Sequence, residues 1–388
     1  MQVVAQEASG VYQQEQAFSD SILQELSEAR QDWPVVAGLL PGQWRTKARE
    51  LGAVRRQLRG FDSIDTLLRV LLIHLAEGCS LRETAARAQA AGLSQVSDIA
   101  LFKRLRQCGP WFQWMTQQLS APMALPVRDE GPLRGRRVRL IDGSTVCEPG
   151  ATGSTWRLHY SLNLSTLLCE EVHLSSADEG ERLERFEVRA GDIVMADRGF
   201  ARRRDLRHVL GRGADVVLRT NLTNLPLQTP EGNALKLLPL LRTLTVGQAG
   251  DWPAQAVDEQ GAMALRVCAY RKTAQQTRRA VQAIEREAAK KGRKVKPETL
   301  EAAAYVIVLT TLRQIDAPAV MELYRQRWQV ELAFKRLKSL LQLGHLKKTD
   351  EKGARSWLQG KILVACLIET LIFTAERFSP WGYGGHEA

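Results

Sequence analysis

The sequence contains no CxxC pair: its six cysteines, Cys79, Cys108, Cys147, Cys169, Cys268 and Cys366, are scattered along 388 residues. The six histidines do not gather near them either, which argues against a zinc site. The first residues show no secretory pattern, so the cysteines are expected to be buried, reduced thiols in a cytoplasmic protein. Long apolar runs are missing as well. The longest, residues 362–373, is too short for a bilayer and carries Glu369, so it reads as a buried helix rather than a membrane span. Acidic residues are the last shortage: 43 Asp and Glu face 54 Lys and Arg, giving a net charge of +11 and a pI near 9.5. Most basic clusters are arginine-rich, and forked guanidinium groups suit a polyanionic partner, although a merely basic soluble protein would have the same balance. A hydrophobic fraction of 44% excludes a disordered chain, and the length allows two or three domains.

Residues 320–348 organise the rest. No Pro or Gly interrupts them before Gly344, so the pattern predicts one long helix from near Pro318 to that glycine. At roughly 100° per residue, Tyr324, Arg327, Trp328, Glu331, Lys335 and Lys338 share one side of it. Leu323, Val330, Ala333, Phe334, Leu337 and Leu341 form an adjacent apolar stripe. One carboxylate therefore stands among cations and aromatics, a pattern that an ordinary amphipathic helix with a solvated face would also show.

Upstream, residues 1–32 have a helical cast and no evident chemistry. Residues 61–76 read as an apolar helix capped by Asp62 or Ser63, with His74 as a core histidine. Residues 80–107 predict a capping box of Ser80 and Glu83, a break at Gly92, and a second helix capped by Ser97. That second helix carries Lys103, Arg104 and Arg106, which is the layout of a helix-turn-helix DNA reader and equally of any helical hairpin with a charged face. A turn-rich basic linker, residues 122–136, closes the helical region.

The period then changes to two. Strands are expected at 137–142, 156–164, 167–175, 192–197 and 214–218, with a short helix at 181–187 and another at 201–210, giving a mixed sheet covered by helices. Asp142 and Asp197 each end an apolar strand and precede small or flexible residues. Aspartate often ends a strand simply by starting a turn, but carboxylates at strand ends of an α/β sheet lie where ligands bind. With Glu331 they make three hard oxygen donors of the kind that hold Mg²⁺. Two such ions about 3.5–4 Å apart activate an attacking oxygen and steady a leaving one at a phosphodiester.

Tyr324, Arg327, Glu331 and Lys338 stand at the spacing Tyr-x₂-Arg-x₃-Glu-x₆-Lys, and with the blocks IDGS (141–144) and ADRGF (196–200) the chain resembles the DDE transposases of bacterial insertion sequences. Trp328 also looks like that group, and the resemblance covers roughly residues 80–348. It implies an RNase H-like α/β fold with an inserted strand-rich subdomain and an N-terminal helical DNA-binding region. The expected divisions are 1–133 for that region, 134–219 for the first part of the catalytic domain, 220–311 for the insertion, and 312–378 for the second part of the catalytic domain and a C-terminal helix. It further implies Asp142, Asp197 and Glu331 as catalytic metal ligands for two Mg²⁺ ions, with Mn²⁺ as a substitute. Tyr324, Arg327 and Lys338 would grip phosphates, with Trp328 beside them; helix geometry adds Lys335, one turn beyond Glu331 on the same face, and the helix-turn-helix layout adds Lys103 and Arg104. The implied reaction is nicking at the element end, hairpin formation, hairpin opening and joining to target DNA.

Within the insertion, strands are expected at 240–246, 265–270 and 305–311, with a charged helix at 273–291 ending in a basic run that either touches DNA or is a solvated excursion. Tyr305 and Trp252 are the candidates for an aromatic that stacks on a flipped base. A homodimer is expected when two ends are paired, through residues 361–378 if that helix is not used by the protomer's own core. The protein is expected in the bacterial cytoplasm near the nucleoid. A silent DNA-binding relic and a metal-dependent branched-DNA nuclease are the rival readings.

Overall fold

The computed structural model describes residues 33–55, 57–123, 131–147, 155–339 and 350–378. The expectations for residues 1–32 and for the helix end at Gly344 lie outside them. The chain divides into two compact units, residues 1–119 with 341–388 and residues 120–340.

The first unit is helical. It comprises α1 (Trp33–Leu39), α2 (Trp44–Glu50), α3 (Ile64–Glu77), α4 (Leu81–Ala90), α5 (Asp98–Leu105) and α6 (Gly109–Ser120), with α13 (Glu351–Phe378) from the far end of the chain. Ser63 caps α3 by accepting from the Thr66 amide at 3.1 Å. Leu67, Leu68, Leu71 and Leu75 bury its apolar face, and Gly78 ends it in the left-handed region, where a residue without Cβ is unstrained. His74 is buried in that face as expected. Trp111 stacks on Trp44 at 6.0 Å and donates its indole N–H to the Trp44 carbonyl at 2.8 Å. α13 packs on α3 within this core, and Trp357, Leu358 and Ile362 to Leu367 are buried there.

The second unit is built on one mixed sheet of eight strands: β1 (Val138–Val146), β2 (Trp156–Asn163), β3 (Cys169–Ser176), β4 (Ile193–Ala196), β5 (Asp215–Arg219), β6 (Ala249–Asp258), β7 (Gly261–Arg271) and β8 (Tyr305–Thr310). Their order is β3-β2-β1-β4-β5-β8-β7-β6. β1 to β3 are antiparallel neighbours, and β4 and β5 run parallel to β1. Three antiparallel strands followed by two parallel to the first is an RNase H-like sheet, as the resemblance implied. Around it lie α7 (Arg203–Gly211), α8 (Leu237–Arg242), α9 (Ala274–Lys290), α10 (Pro297–Ala302), α11 (Ala317–Arg325) and α12 (Trp328–Ser339). One face of the sheet carries Ile141, Val194, Ala196, Val216 and Leu218 in a core shared with Leu206 and Val209 of α7.

The insertion departs from the expected strands in two places. Residues 240–246 do not form a strand: Leu237, Leu238, Leu240 and Leu241 sit at helical spacing in α8, and Leu237 and Leu241 are buried four apart. A strand that was not expected, β6, runs through Trp252 and Pro253. It lies at the sheet edge, where a residue that cannot donate to a neighbour is tolerated. β7 and β8 continue the catalytic sheet through antiparallel pairing of β8 with β5. Expected elements at 273–291 and 305–311 appear as α9 and β8, with Thr273 making a full capping box on Gln276.

Charges are buried in the β1–β2–β3 region. The Arg139 side chain is fully buried, ion-paired with Glu170 and Glu171, and bonded to the Glu187 carbonyl. Ser161 and Asn163 also donate to Glu170, at 2.8 and 3.1 Å, so that carboxylate is satisfied from three residues. A buried ion pair is tolerated only when its remaining hydrogen-bonding capacity is filled in this way.

Candidate active site

Register brings the two aspartates together. The parallel pairing of β1 with β4 runs from Val138↔Ile193 to Ile141↔Ala196 and stops there. Asp142 and Asp197 are the next residues on each chain. β1 itself does not end at Asp142, contrary to the sequence reading; it continues to Val146 paired with β2 alone. The aspartate therefore marks where the parallel partner is lost, not where the strand stops. Ile141 and Ala196 face the α7 core, so side-chain alternation turns Asp142 and Asp197 to the opposite face. That face is covered by α12, whose Phe334 ring packs 5.6 Å from Tyr160, the residue opposite Asp142 on β2.

The expected continuous helix is in fact two, α11 and α12, with a break at Gln326 and Arg327. The amides of Gln326 and Arg327 bond to carbonyls three residues back, at 3.1 and 3.0 Å, which tightens the turn. Neither Pro nor Gly marks the break. Asp316 caps α11 by accepting from the Ala319 amide at 2.9 Å. Val330, Ala333, Phe334 and Leu337 are buried and anchor α12 to the sheet, each large side chain contributing roughly 1.5–3 kcal/mol as an upper value.

From the break, Arg327 reaches across to the strands. Its guanidinium contacts Asp142 Oδ2 at 3.3 Å and pairs with Glu331 one turn ahead. Burial would weaken its charge, but Tyr324, Asp142, Asp197 and Glu331 outweigh that and raise its pKa. All three candidate carboxylates thus lie within electrostatic range of one guanidinium. Asp142 is pushed up to about 6 by burial; the Gly143 amide and Arg327 oppose this, while Asp197 and Glu181 add to it. The Gly143 amide donates to Asp142 Oδ1 at 2.8 Å.

The donor set fits a divalent cation. Asp197 Oδ1 is buried with no hydrogen-bond partner among the described residues, a condition that costs free energy unless a ligand or ion supplies one. Asp142 and Asp197 offer hard oxygens from adjacent strands, and Glu331 stands over them from α12 with its side chain 60% exposed. Among the described residues no three acidic, histidine or cysteine side chains lie close enough to form a finished metal cage, and Glu331 is paired with Arg327.

The other candidates separate by exposure. Tyr324 is buried beside Arg327, its guanidinium carbon 6.0 Å from the ring centre, and burial raises its pKa. Trp328, Lys335 and Lys338 are exposed on α12. Tyr324, Arg327 and Trp328 line a pocket of about 760 Å³ with Arg219, Lys272 and Arg279. Asp197 lines a second cleft, of about 800 Å³, with Arg198, Arg219, Lys236, Lys272 and Tyr305. Lys272 is common to both; burial lowers its pKa and its Nζ donates to the Ala303 carbonyl at 2.8 Å. Of the stacking candidates, Tyr305 lines the Asp197 cleft, whereas Trp252 packs against the sheet core.

In the helical unit, Ser80 accepts from the Glu83 amide at 3.1 Å, but the reciprocal half of the expected box is replaced by a Glu83–Arg87 ion pair. Ser97 caps α5, and Lys103 is exposed on it. Arg104 donates to the Gln57 carbonyl at 2.6 Å and Arg106 pairs with Asp350 at 2.9 Å, so these two serve the unit's own packing. The cysteines are free thiols, five of them buried and Cys147 exposed, which departs from the expectation for that one. Among the described residues no helix is long and apolar enough to cross a membrane.

An RNase H-like sheet with two aspartates just past its parallel β1–β4 pairing, and a glutamate on the helix that covers them, has the donors to hold divalent cations for phosphodiester chemistry, the equipment of a nucleic-acid-cutting enzyme. Residues 134–367 match the transposase DDE domain family. The chain is 35% identical over 361 residues to the transposase for insertion sequence element IS421 of Escherichia coli, covering 89% of this chain and 95% of that one. InsL of insertion sequence element IS186A, from Escherichia coli K12, is equally similar, 35% over 360 residues with the same coverage. The transposase for IS231F of Bacillus thuringiensis subsp. israelensis is more distant, 24% over 203 residues and 48% of this chain. A cryo-EM structure of the piggyBac transposase synaptic complex with hairpin DNA shares 11% identity at a TM-score of 0.46, covering 89% of this chain and 73% of that one, too distant to add weight. The chain belongs to the transposase DDE domain family, among the insertion-sequence members: it is a DNA transposase, an enzyme that cleaves DNA and transfers strands.

Proposed function

We propose that this transposase cuts DNA at the ends of its own element with Asp142, Asp197 and Glu331 holding two Mg²⁺ ions, and that Tyr324, Arg327, Glu331 and Lys338 act as the Tyr-Arg-Glu-Lys signature. The observation that carries the reading is the register that sets Asp142 beside Asp197, on the sheet face that α12 covers. Bound divalent cations supply an activated water and neutralise charge on the phosphodiester. The residues do the rest. Asp142 and Asp197 fix positions on rigid strands. Arg327 holds Glu331 one turn along and keeps positive charge at the centre. Lys335 and Lys338, exposed further along α12, meet phosphates on the strand being cut. Tyr324 is buried, so its part is to seat Arg327 rather than to grip DNA directly.

The reaction passes through a hairpin at the cut end, and Tyr305 is the candidate to meet an unpaired base in the Asp197 cleft. α4 and α5 contact DNA through Lys103, while Arg104 is taken up by its hydrogen bond to the Gln57 carbonyl. Residues 1–133, 134–219, 220–311 and 312–378 act as functional segments, the third contributing its basic α9 arm to DNA contact. A homodimer pairs two ends; Ile368, Leu371 and Ile372, exposed along α13, are its candidate contacts. The enzyme works in the bacterial cytoplasm beside its DNA.

A strand-transfer assay tests this reading. A pre-cut element end should join to supercoiled plasmid in Mg²⁺ with wild-type protein and not with D197A. Joining by D197A at the wild-type rate would refute the assignment.

A further inference from the structure

Each candidate aspartate is followed closely by a glycine, Gly143 after Asp142 and Gly199 after Asp197, and neither glycine needs to be one for its backbone. Their φ angles lie outside the positive region, where an alanine would be strained. What a side chain would meet at either position is the carboxylate of Glu181. A Cβ on Gly143 would stand 2.8 Å from Oε1 of Glu181, and one on Gly199 would press still closer on Oε2. A single carboxylate thus fills, with its two oxygens, the two vacancies that these glycines leave.

Glu181 is itself held. Arg157 on β2 pairs with its Oε1 at 3.0 Å, and Arg202 at the start of α7 approaches its carbonyl at 3.5 Å. Two residues on, the Leu183 amide donates to buried Asp205 at 2.6 Å. The wedge is therefore anchored on β2, on its own segment and on α7, independently of the aspartates. Its charge reaches the centre, being among the influences that raise Asp142.

We propose that Glu181 is a positioning residue of the active centre: its carboxylate wedges between Gly143 on β1 and the turn at Gly199 and sets the separation of Asp142 and Asp197. The proposal rests on those two aspartates being cation ligands. Groups standing behind a metal ligand are worth about 10–100-fold in affinity.

The test is calorimetric titration of the full-length, DNA-free protein with Mn²⁺, with a thermal unfolding scan of each variant. D197A is the control and should lose binding. E181A should weaken Mn²⁺ about 10–100-fold while its unfolding midpoint stays near wild type. E181Q keeps the wedge's size and should recover most of the affinity. G143A should weaken binding by pushing against Glu181, and adding E181A to it should cost less than E181A costs alone, since the methyl group refills the space. A general loss of folding would not produce that sign of coupling. Wild-type affinity in E181A, with D197A impaired, would overturn the proposal and leave the metal reading standing. Wild-type affinity in D197A would remove the metal reading itself. Should E181A fail to fold, G143A decides: wild-type affinity there contradicts the wedge.

Discussion

Arg327 meets Asp142 at 3.3 Å and also pairs with Glu331, and such a double reach needs a fork. Lysine offers a single point charge on a flexible stem and cannot bridge two carboxylates in the same way. R327A should lower single-turnover cleavage at least about tenfold, equivalent to about 1.4 kcal/mol, and R327K should recover little of it. Recovery by lysine would show that only charge matters there. Lys338 differs because it is exposed. K338A should weaken binding to DNA of any sequence and lower the salt slope by about one unit, measured by retardation across a salt series. An unchanged slope would place Lys338 on a solvated face with no phosphate contact. The spacing of Tyr324, Arg327, Glu331 and Lys338 was legible in the sequence because all four lie within a few turns. Glu181 was not, because its link to Gly143 and Gly199 is made by the folded sheet and leaves no local pattern.

Among the elements, the hairpin β2–β3, the parallel pair β4 and β5, α9 and β8 were legible because each has a clear period and clear ends. The break between α11 and α12 was hidden, since nothing in Gln326-Arg327 disfavours a helix; the tightened turn accompanies the reach of Arg327 to β1. β6 was hidden for the opposite reason, as Gly250 and Pro253 read as breakers, yet an edge strand accepts them. α8 was misread because a short leucine-rich run has no decisive period. The β1–β3 element carries its own prediction. Arg139 and Glu170 are both fully buried, so R139M should strand the glutamate and cost about 3–5 kcal/mol in urea unfolding. R139M combined with E170M should recover much of that loss. A loss below about 1 kcal/mol for R139M alone would mean that the pair is not closed to water in solution.

For the whole molecule, the sequence indicated a mixed sheet, a helical front and an acidic triad. It could not indicate that the insertion extends the same sheet. That outcome depends on β8 pairing with β5 across about 90 residues of chain, a long-range contact that no local window contains. The consequence is that α9, with its basic face, and the cleft holding Asp197 belong to one compact unit with the triad strands. The charge of +11 suits the DNA that a transposase binds.

The central claim is that Asp142, Asp197 and Glu331 together cut DNA. The most direct measurement is cleavage of a linear duplex carrying the element's own end, with Mg²⁺ or with EDTA, resolved on a denaturing gel for wild type and for D142A, D197A and E331A. Wild type should give a nicked or hairpin product in Mg²⁺ alone, and each variant should retard the duplex without cutting it. A product at near-normal rate from any one of the three variants, or one that forms equally in EDTA, would contradict the assignment.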